Sequence, residues 1–283
     1  MVDFLATEIR IPSARVVPYS NQLTVLSEIF RLIPSPDANQ FAAIKEWFWR
    51  TALSGYFSGW NTGQMASDRA AAVTFAKGET DRIEVAAAEP QADIWTTRQF
   101  RANNAHAKLL AIVLSHRGPT DLLSGQTIDT GRTLAWENQK EFHHFFPRDY
   151  LKNQGIAANR INCLANFVML TSASNKRISN QAPSDYLAEV EAAAGTELEG
   201  WLGANLISME AFEAAKADDF AKFLALRSET LHKVILPLAG WDASDAGGLD
   251  VSLDVASDEK EAGSGDDSDF TDEPPSTDVV APA

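Results

Sequence analysis

Two adjacent histidines, His143 and His144, open a stretch that reads His-His-Phe-Phe-Pro and runs on to Tyr150 and Leu151. Asn166 stands 22 residues after His144, heading the apolar run Phe167-Val168-Met169-Leu170. Nine residues further on comes Asn175, followed by Lys176 and Arg177. An imidazole titrates near neutral pH, so it can take a proton from water or, when neutral, hold a metal ion. An asparagine amide can bond across a loop or offer its carbonyl oxygen to a hard cation. Lysine and arginine hold phosphate. Hydrolysis of a phosphodiester asks for these abilities together: an activated water, charge neutralisation at phosphorus and a fixed in-line geometry. Taken singly, the same residues have plainer uses. A His-His pair beside two phenylalanines packs as two imidazoles, and asparagine-rich loops are turn chemistry. The weight lies in the order and spacing of the three stretches.

That conjunction resembles the HNH, or ββα-metal, endonucleases. His143-His144-Phe145-Phe146-Pro147 with Tyr150-Leu151 is similar to their first motif, Asn166 with the run to Thr171 to their second, and Asn175-Lys176-Arg177 to their third. The chain resembles the HNH domain of CRISPR effector nucleases. It is more similar to the C-terminal domain of GmrSD-type modification-dependent restriction endonucleases, where an HHIFP-like opening is usual. The blocks VVPYSNQL and EWFWRTALSGYFSG are similar to the helical region of the same proteins. The resemblance spans about Val2 to Leu238, with motif-level strength between Glu141 and Leu187.

The resemblance implies a metal-dependent endonuclease acting on DNA, in restriction or anti-phage defence. It makes His144 the general base and Asn166 the residue that orients the backbone presenting it. His143 and Asn175 would hold a divalent metal ion, with Asn175 counted among the catalytic set. Magnesium is the expected ion. His143, however, stands where many of these enzymes carry Asp, which leaves an imidazole-plus-amide shell and makes manganese or another transition ion the alternative. Lys176, Arg177, Arg148 and Lys152 would contact DNA phosphates. Adjacent residues on a regular strand face opposite ways, so His143 and His144 can serve one site only if the strand ends or bulges there; Pro147 fits such an ending.

One departure is large. The nucleotide-dependent half of GmrSD-type proteins carries a DGQQR-like motif, and neither that motif nor a GxxxxGK[ST] phosphate loop occurs here. The chain therefore resembles the nuclease half alone, and a separate nucleotide-hydrolysing chain is an expected partner. Two alternatives stand beside the nuclease reading: a non-catalytic DNA-binding or assembly subunit, and a nuclease that cuts RNA. A double-strand break would need two copies of a one-metal site, which makes a homodimer a further expectation.

Charge is unevenly spread. The 283 residues carry 39 Asp and Glu against 24 Lys and Arg, a net charge of −15. Thirteen of the acids and one lysine fall between Trp241 and Ala283, leaving 26 acids and 23 bases in the rest. Between Lys140 and Asn180, six bases meet two acids, so the motif-bearing segment is locally basic, as a phosphate-binding surface requires. The final stretch is rich in Asp, Ser, Gly and Pro and reads as a disordered acidic tail, 241–283. A single cysteine, Cys163, excludes an internal disulfide and any four-cysteine zinc site. No apolar run approaches the ~20 residues of a membrane span, and the first residues carry acids where a signal peptide would be basic. A cytoplasmic protein without a membrane partner is the expectation.

The elements that must position the three stretches are mostly helical, giving an α+β, mainly α-helical class. Leu23, Leu26, Ile29, Phe30 and Ile33 recur at helical spacing over 21–33, and Phe41, Ile44, Trp47, Phe48 and Leu53 do so over 39–57. The Trp47-Phe48-Trp49 cluster is read as core rather than as a base-stacking platform. Further helices are expected over 98–116, closed by Gly118-Pro119, over 184–194 with Ser184 as N-cap, and over 209–236. The division that follows is a helical region at 1–130, a nuclease domain with C-terminal helices at 131–240, and the tail. His106 and His116 read as ordinary helix residues, and Cys163 as a small buried one.

Overall fold

The computed structural model describes residues 1–101, 103–134 and 142–241, the side chain of residue 132 aside. All but the first residue of the tail expected over 241–283 lies outside the described residues. Those described are mainly helical, with one small two-stranded sheet.

In the first half, α1 (Val2–Thr7) precedes α2 (Ser20–Leu32), α3 (Ala38–Leu53) and α4 (Thr62–Ala76). Local chemistry sets their starts. Asp37 accepts from the Gln40 N–H while Gln40 Oε1 accepts from the Asp37 N–H, a reciprocal cap at the head of α3. Asn61 and Gln64 repeat the device on α4, a helix that apolar spacing alone does not announce. Gln22, fully buried on α2, donates to Phe48 O and Thr51 Oγ1 of α3 and so locks the two helices together. Trp47, Phe48 and Trp49 are all core.

A short α5 (Ile94–Thr97) leads to α6 (Ala105–Arg117). The residues from Leu109 to Ser115 are buried on every side, the mark of a helix through the middle of a fold. Gly118 ends α6 at φ +63°, in the left-handed region glycine adopts without strain. The helix expected over 98–116 thus begins seven residues late. Asn104 caps it by accepting from the His106 N–H, and the residues before that cap pair elsewhere. Phe100 N–H donates to Asn162 O, Leu164 N–H donates to Arg98 O, and Gln99 forms a bridge with Cys163.

After α7 (Thr130–Leu134) come the elements that carry the motifs: β1 (Phe142–His144), α8 (Arg148–Asn153), α9 (Ala158–Ile161), β2 (Phe167–Met169) and α10 (Ser172–Ile178). Four helices close the described chain: α11 (Pro183–Ala194), α12 (Leu198–Ala204), α13 (Met209–Lys216) and α14 (Phe220–Ile235). Ser184 is not the N-cap of α11. Pro183 already occupies the first turn, where its missing N–H costs nothing, and the Ser184 N–H goes to Asp218 instead. The single helix expected over 209–236 is two, because Asp218 takes φ +56° and Asp219 restarts the chain by capping Lys222 N–H. Phe145 and Phe146 at the end of β1 pack on Phe220 and Phe223 of α14, the Phe145–Phe223 rings stacking at 4.5 Å.

Candidate active site

β1 and β2 run antiparallel in the register Phe142↔Met169, His143↔Val168, His144↔Phe167. Both histidines lie within β1, each in register with a residue of β2, and the strand ends directly after His144. Both imidazoles are half-buried. The ring of His144 lies 4.4 Å from that of its cross-strand partner Phe167, which in turn stacks on Phe100 at 4.3 Å. An apolar wall therefore backs the imidazole from one side.

Asn166 sits immediately before β2 and is fully buried. Its backbone carbonyl accepts from the Phe145 N–H at 2.7 Å, continuing the strand pairing. Its side chain then bonds across the loop. Oδ1 accepts from the Phe146 N–H at 2.9 Å, while Nδ2 donates to Phe146 O at 3.2 Å and to Ile161 O at 2.9 Å. One amide thus ties the residues just past His144 to the end of α9. Only a side chain with an acceptor and two donors can do this, which is why an asparagine stands there.

Residues far along the chain hold the same loop, and no local motif announces them. Tyr186 of α11 donates to Phe145 O at 2.7 Å. Arg227 of α14, fully buried, donates to Ala165 O at 2.8 Å. Burial lowers its pKa to about 9, so the guanidinium stays charged at neutral pH. Asp121, in the turn after α6, fixes the helix that follows β2. Its Oδ2 accepts from the Thr171 N–H at 2.8 Å and its Oδ1 from Ser174 Oγ at 2.7 Å, while Leu123 and Ser124 N–H bind the same carboxylate. Burial alone would raise this carboxyl's pKa, yet the donors from Ser174, Thr171 and Ser124 hold it below the ordinary value. Cys163 is fully buried and its thiol is pushed up to about 11 by burial, so it stays protonated and inert.

Asn175 lies half-buried on α10, with Lys176 and Arg177 exposed beside it. Arg177 pairs with Glu189 at 2.7 Å and Lys152 with Asp149 at 3.4 Å, both on the surface. Such exposed pairs contribute little and yield readily to a phosphate. Arg148 opens α8 directly after Pro147. Strand pairing and the buried polar contacts place His143, His144, Asn166 and the start of α10 on neighbouring elements. Lys152 lies in the last turn of α8.

Among the described residues no three His, Cys, Asp or Glu side chains gather as a metal cluster. The donors read from the sequence are one imidazole, His143, and one amide oxygen, Asn175. Such a pair would suit a divalent ion that keeps most of its own waters and takes phosphate oxygens as further ligands, a transition ion better than magnesium. Among the described residues, the charged ones lining the cleft between α2 and α4 pair with one another or with neighbouring side chains. Its Asp68 accepts from Tyr56 and Trp60, its Glu28 from Arg31, and no residue from Phe142 to Ile178 lines it.

The chain is 22% identical over 247 residues to an uncharacterized protein of Methanocaldococcus jannaschii, MJ0686, covering 78% of this chain and 41% of that protein. The chain thus spans less than half the length of this relative. No protein-family profile and no solved structure matches it.

Proposed function

We propose that this chain is a metal-dependent HNH endonuclease that hydrolyses DNA phosphodiester bonds, the nuclease half of a GmrSD-type defence system. One observation carries the reading. β1 ends on His144, its antiparallel partner β2 begins at Phe167 directly after Asn166, the Asn166 amide clamps the residues just past His144, and a helix bearing Asn175 follows. In the reaction His144 takes a proton from the attacking water, the water oxygen bonds to phosphorus, and the bond to the leaving oxygen breaks. Lys176 and Arg177 lie at the end of α10 to hold the phosphate. The ion, magnesium or a transition ion held by His143 and Asn175, would supply neutralisation of the charge that develops on the phosphate. Asn166 touches no reactant; it keeps His144 on station.

Purified protein with plasmid, Mg²⁺ or Mn²⁺, and an EDTA control tests this. Cutting is expected only with the ion, and His144→Ala should lower its rate by about 10²–10⁴-fold, the usual worth of a general base. Undiminished cutting by that variant would remove His144 from the role. The imidazole at position 143, in place of a carboxylate, favours a second reading as a non-catalytic DNA-binding or assembly subunit. DNA binding without cleavage under every divalent ion tried would support it. Competing DNA and RNA substrates separate a DNA nuclease from an RNA nuclease, and co-purification seeks a nucleotide-hydrolysing partner.

A further inference from the structure

Two stretches of the chain exclude acids altogether. From Ile94 to Thr120 there are four bases, Arg98, Arg101, Lys108 and Arg117, and no Asp or Glu. From Tyr150 to Ser184 there are again four, Lys152, Arg160, Lys176 and Arg177, and no acid. All 26 acids that precede Trp241 lie elsewhere. The fold brings the two stretches together. The Gln99–Cys163 bridge lays one against the other, with the Phe100 N–H donating to Asn162 O at 2.8 Å and the Leu164 N–H to Arg98 O at 3.0 Å. This junction adjoins the candidate site. Asn162 places its Oδ1 3.0 Å from His144 Nε2, and Phe100 stacks on Phe167, whose ring backs the same imidazole. Arg101 follows Phe100 directly and is exposed, while Arg160 of α9 is half-buried two residues before Asn162. Among the described residues neither guanidinium enters an ion pair, whereas Lys152 and Arg177 do.

A guanidinium is a planar fork of N–H donors that matches phosphate oxygens. Arg101 and Arg160 stand at the surface on separate segments, an arrangement that suits an extended polyanion rather than one small anion. With no carboxylate held in a pair, neither has an internal partner to give up when phosphate arrives. The lack of acids in both stretches also spares such a polymer like-charge repulsion, in a chain that is acidic as a whole. We propose that Arg101 and Arg160 form a phosphate-binding edge beside the candidate site, over which the DNA backbone passes from His144 onto the helical first half of the chain. The proposal rests on DNA being the partner, which the nuclease and DNA-binding readings share. The DNA surface then crosses the division at residue 130, since Arg101 precedes it and Lys176 and Arg177 follow it. Contacts of this kind hold the backbone and read no base.

Binding is measured apart from cutting. The full chain is titrated against a short fluorescent DNA duplex in EDTA between about 50 and 200 mM salt, and the logarithm of affinity is plotted against that of salt concentration. Each phosphate contact on B-DNA adds about 0.9 to the slope. Arg101→Gln with Arg160→Gln should make the slope shallower by about 1.8 and weaken binding about 10–100-fold at about 0.1 M salt. Each single change should give about half of that loss of slope. Arg101→Lys with Arg160→Lys keeps both charges and should keep most of the slope. Lys222→Gln with Lys233→Gln removes two exposed cations of α14 and should leave the slope unchanged. A wild-type slope in the double glutamine variant, an equal loss in the α14 variant, or a wild type that binds no duplex would overturn the proposal. Should the double variant fail to fold, the single variants decide it on the same slopes. The expected slopes in a chain that cuts under no divalent ion would support the edge and sink the nuclease reading. Metal-dependent cutting by a double variant with the wild-type slope would do the reverse, so the two failures differ.

Discussion

At position 166 the choice of asparagine can be weighed atom by atom. Aspartate has nearly the same shape and would still accept from the Phe146 N–H. Its second oxygen, however, would face Phe146 O and Ile161 O, which the Asn166 amide now satisfies. Acceptor would meet acceptor inside a buried loop. Asn166→Asp is therefore expected to destabilise by about 2–4 kcal/mol at neutral pH, as much as Asn166→Ala, because each leaves buried polar groups unpartnered. Denaturant titrations of the two variants check this, and a near-neutral Asn166→Asp would mean that the bonds across the loop contribute little. Asn162 differs in kind. Its side chain meets another side chain, His144 at 3.0 Å, rather than the loop backbone.

Between elements, the helix that bears Asn175 hangs on Asp121. That carboxylate spends both oxygens on α10 and on its own turn. Asp121→Asn keeps the shape but replaces one oxygen with a donor that cannot accept from Thr171 or Ser174, and should cost about 1–3 kcal/mol. Amide exchange should quicken at the start of α10 before it does in α6; equal exchange throughout would show that Asp121 does not govern α10 locally. Tyr186→Phe, which removes one bond to Phe145 O, should cost about 1 kcal/mol by the same measure. These contacts mark what could and could not be read beforehand. Asn166 was legible because its amide acts within a contiguous motif beside an apolar strand. Asp121 binds Thr171 across 50 residues of sequence, and Arg227 reaches Ala165 across 62, with nothing local to announce either. Asn162 was hidden for the same reason, since its meaning depends on His144 and on the pairing with Phe100. The late start of α6 and the break between α13 and α14 have a related cause: apolar spacing runs through both, while caps at Asn104 and Asp219 decide where helix can begin.

For the whole molecule, two histidines in different parts of the fold, His116 half-buried and His232 buried, bear on the response to acid. His116 on α6 donates from Nε2 to Ile9 O and has its pKa lowered, chiefly by burial. His232 on α14 is 2% exposed, its Nδ1 has no partner among the described residues, and burial lowers its pKa too. Each folded-state value lies below the ordinary 6.5. Within the window between those values the unfolded chain binds more protons than the folded one, so stability rises with pH. It is therefore complete above about 6.5 and declines as pH falls through that value toward the depressed ones. The acidic chain offers a competing effect, because protonating carboxylates relieves self-repulsion within a net charge of −15. That relief belongs to pH near 4, where carboxylates titrate, and is nearly absent between pH 7 and 5.5. The histidines should decide the sign there. The melting temperature is expected to be level from pH 8 to 7 and to fall from pH 7 to 5.5, with His232→Leu flattening part of the fall. A melting temperature that rises over the same range would show that charge relief outweighs the two imidazoles.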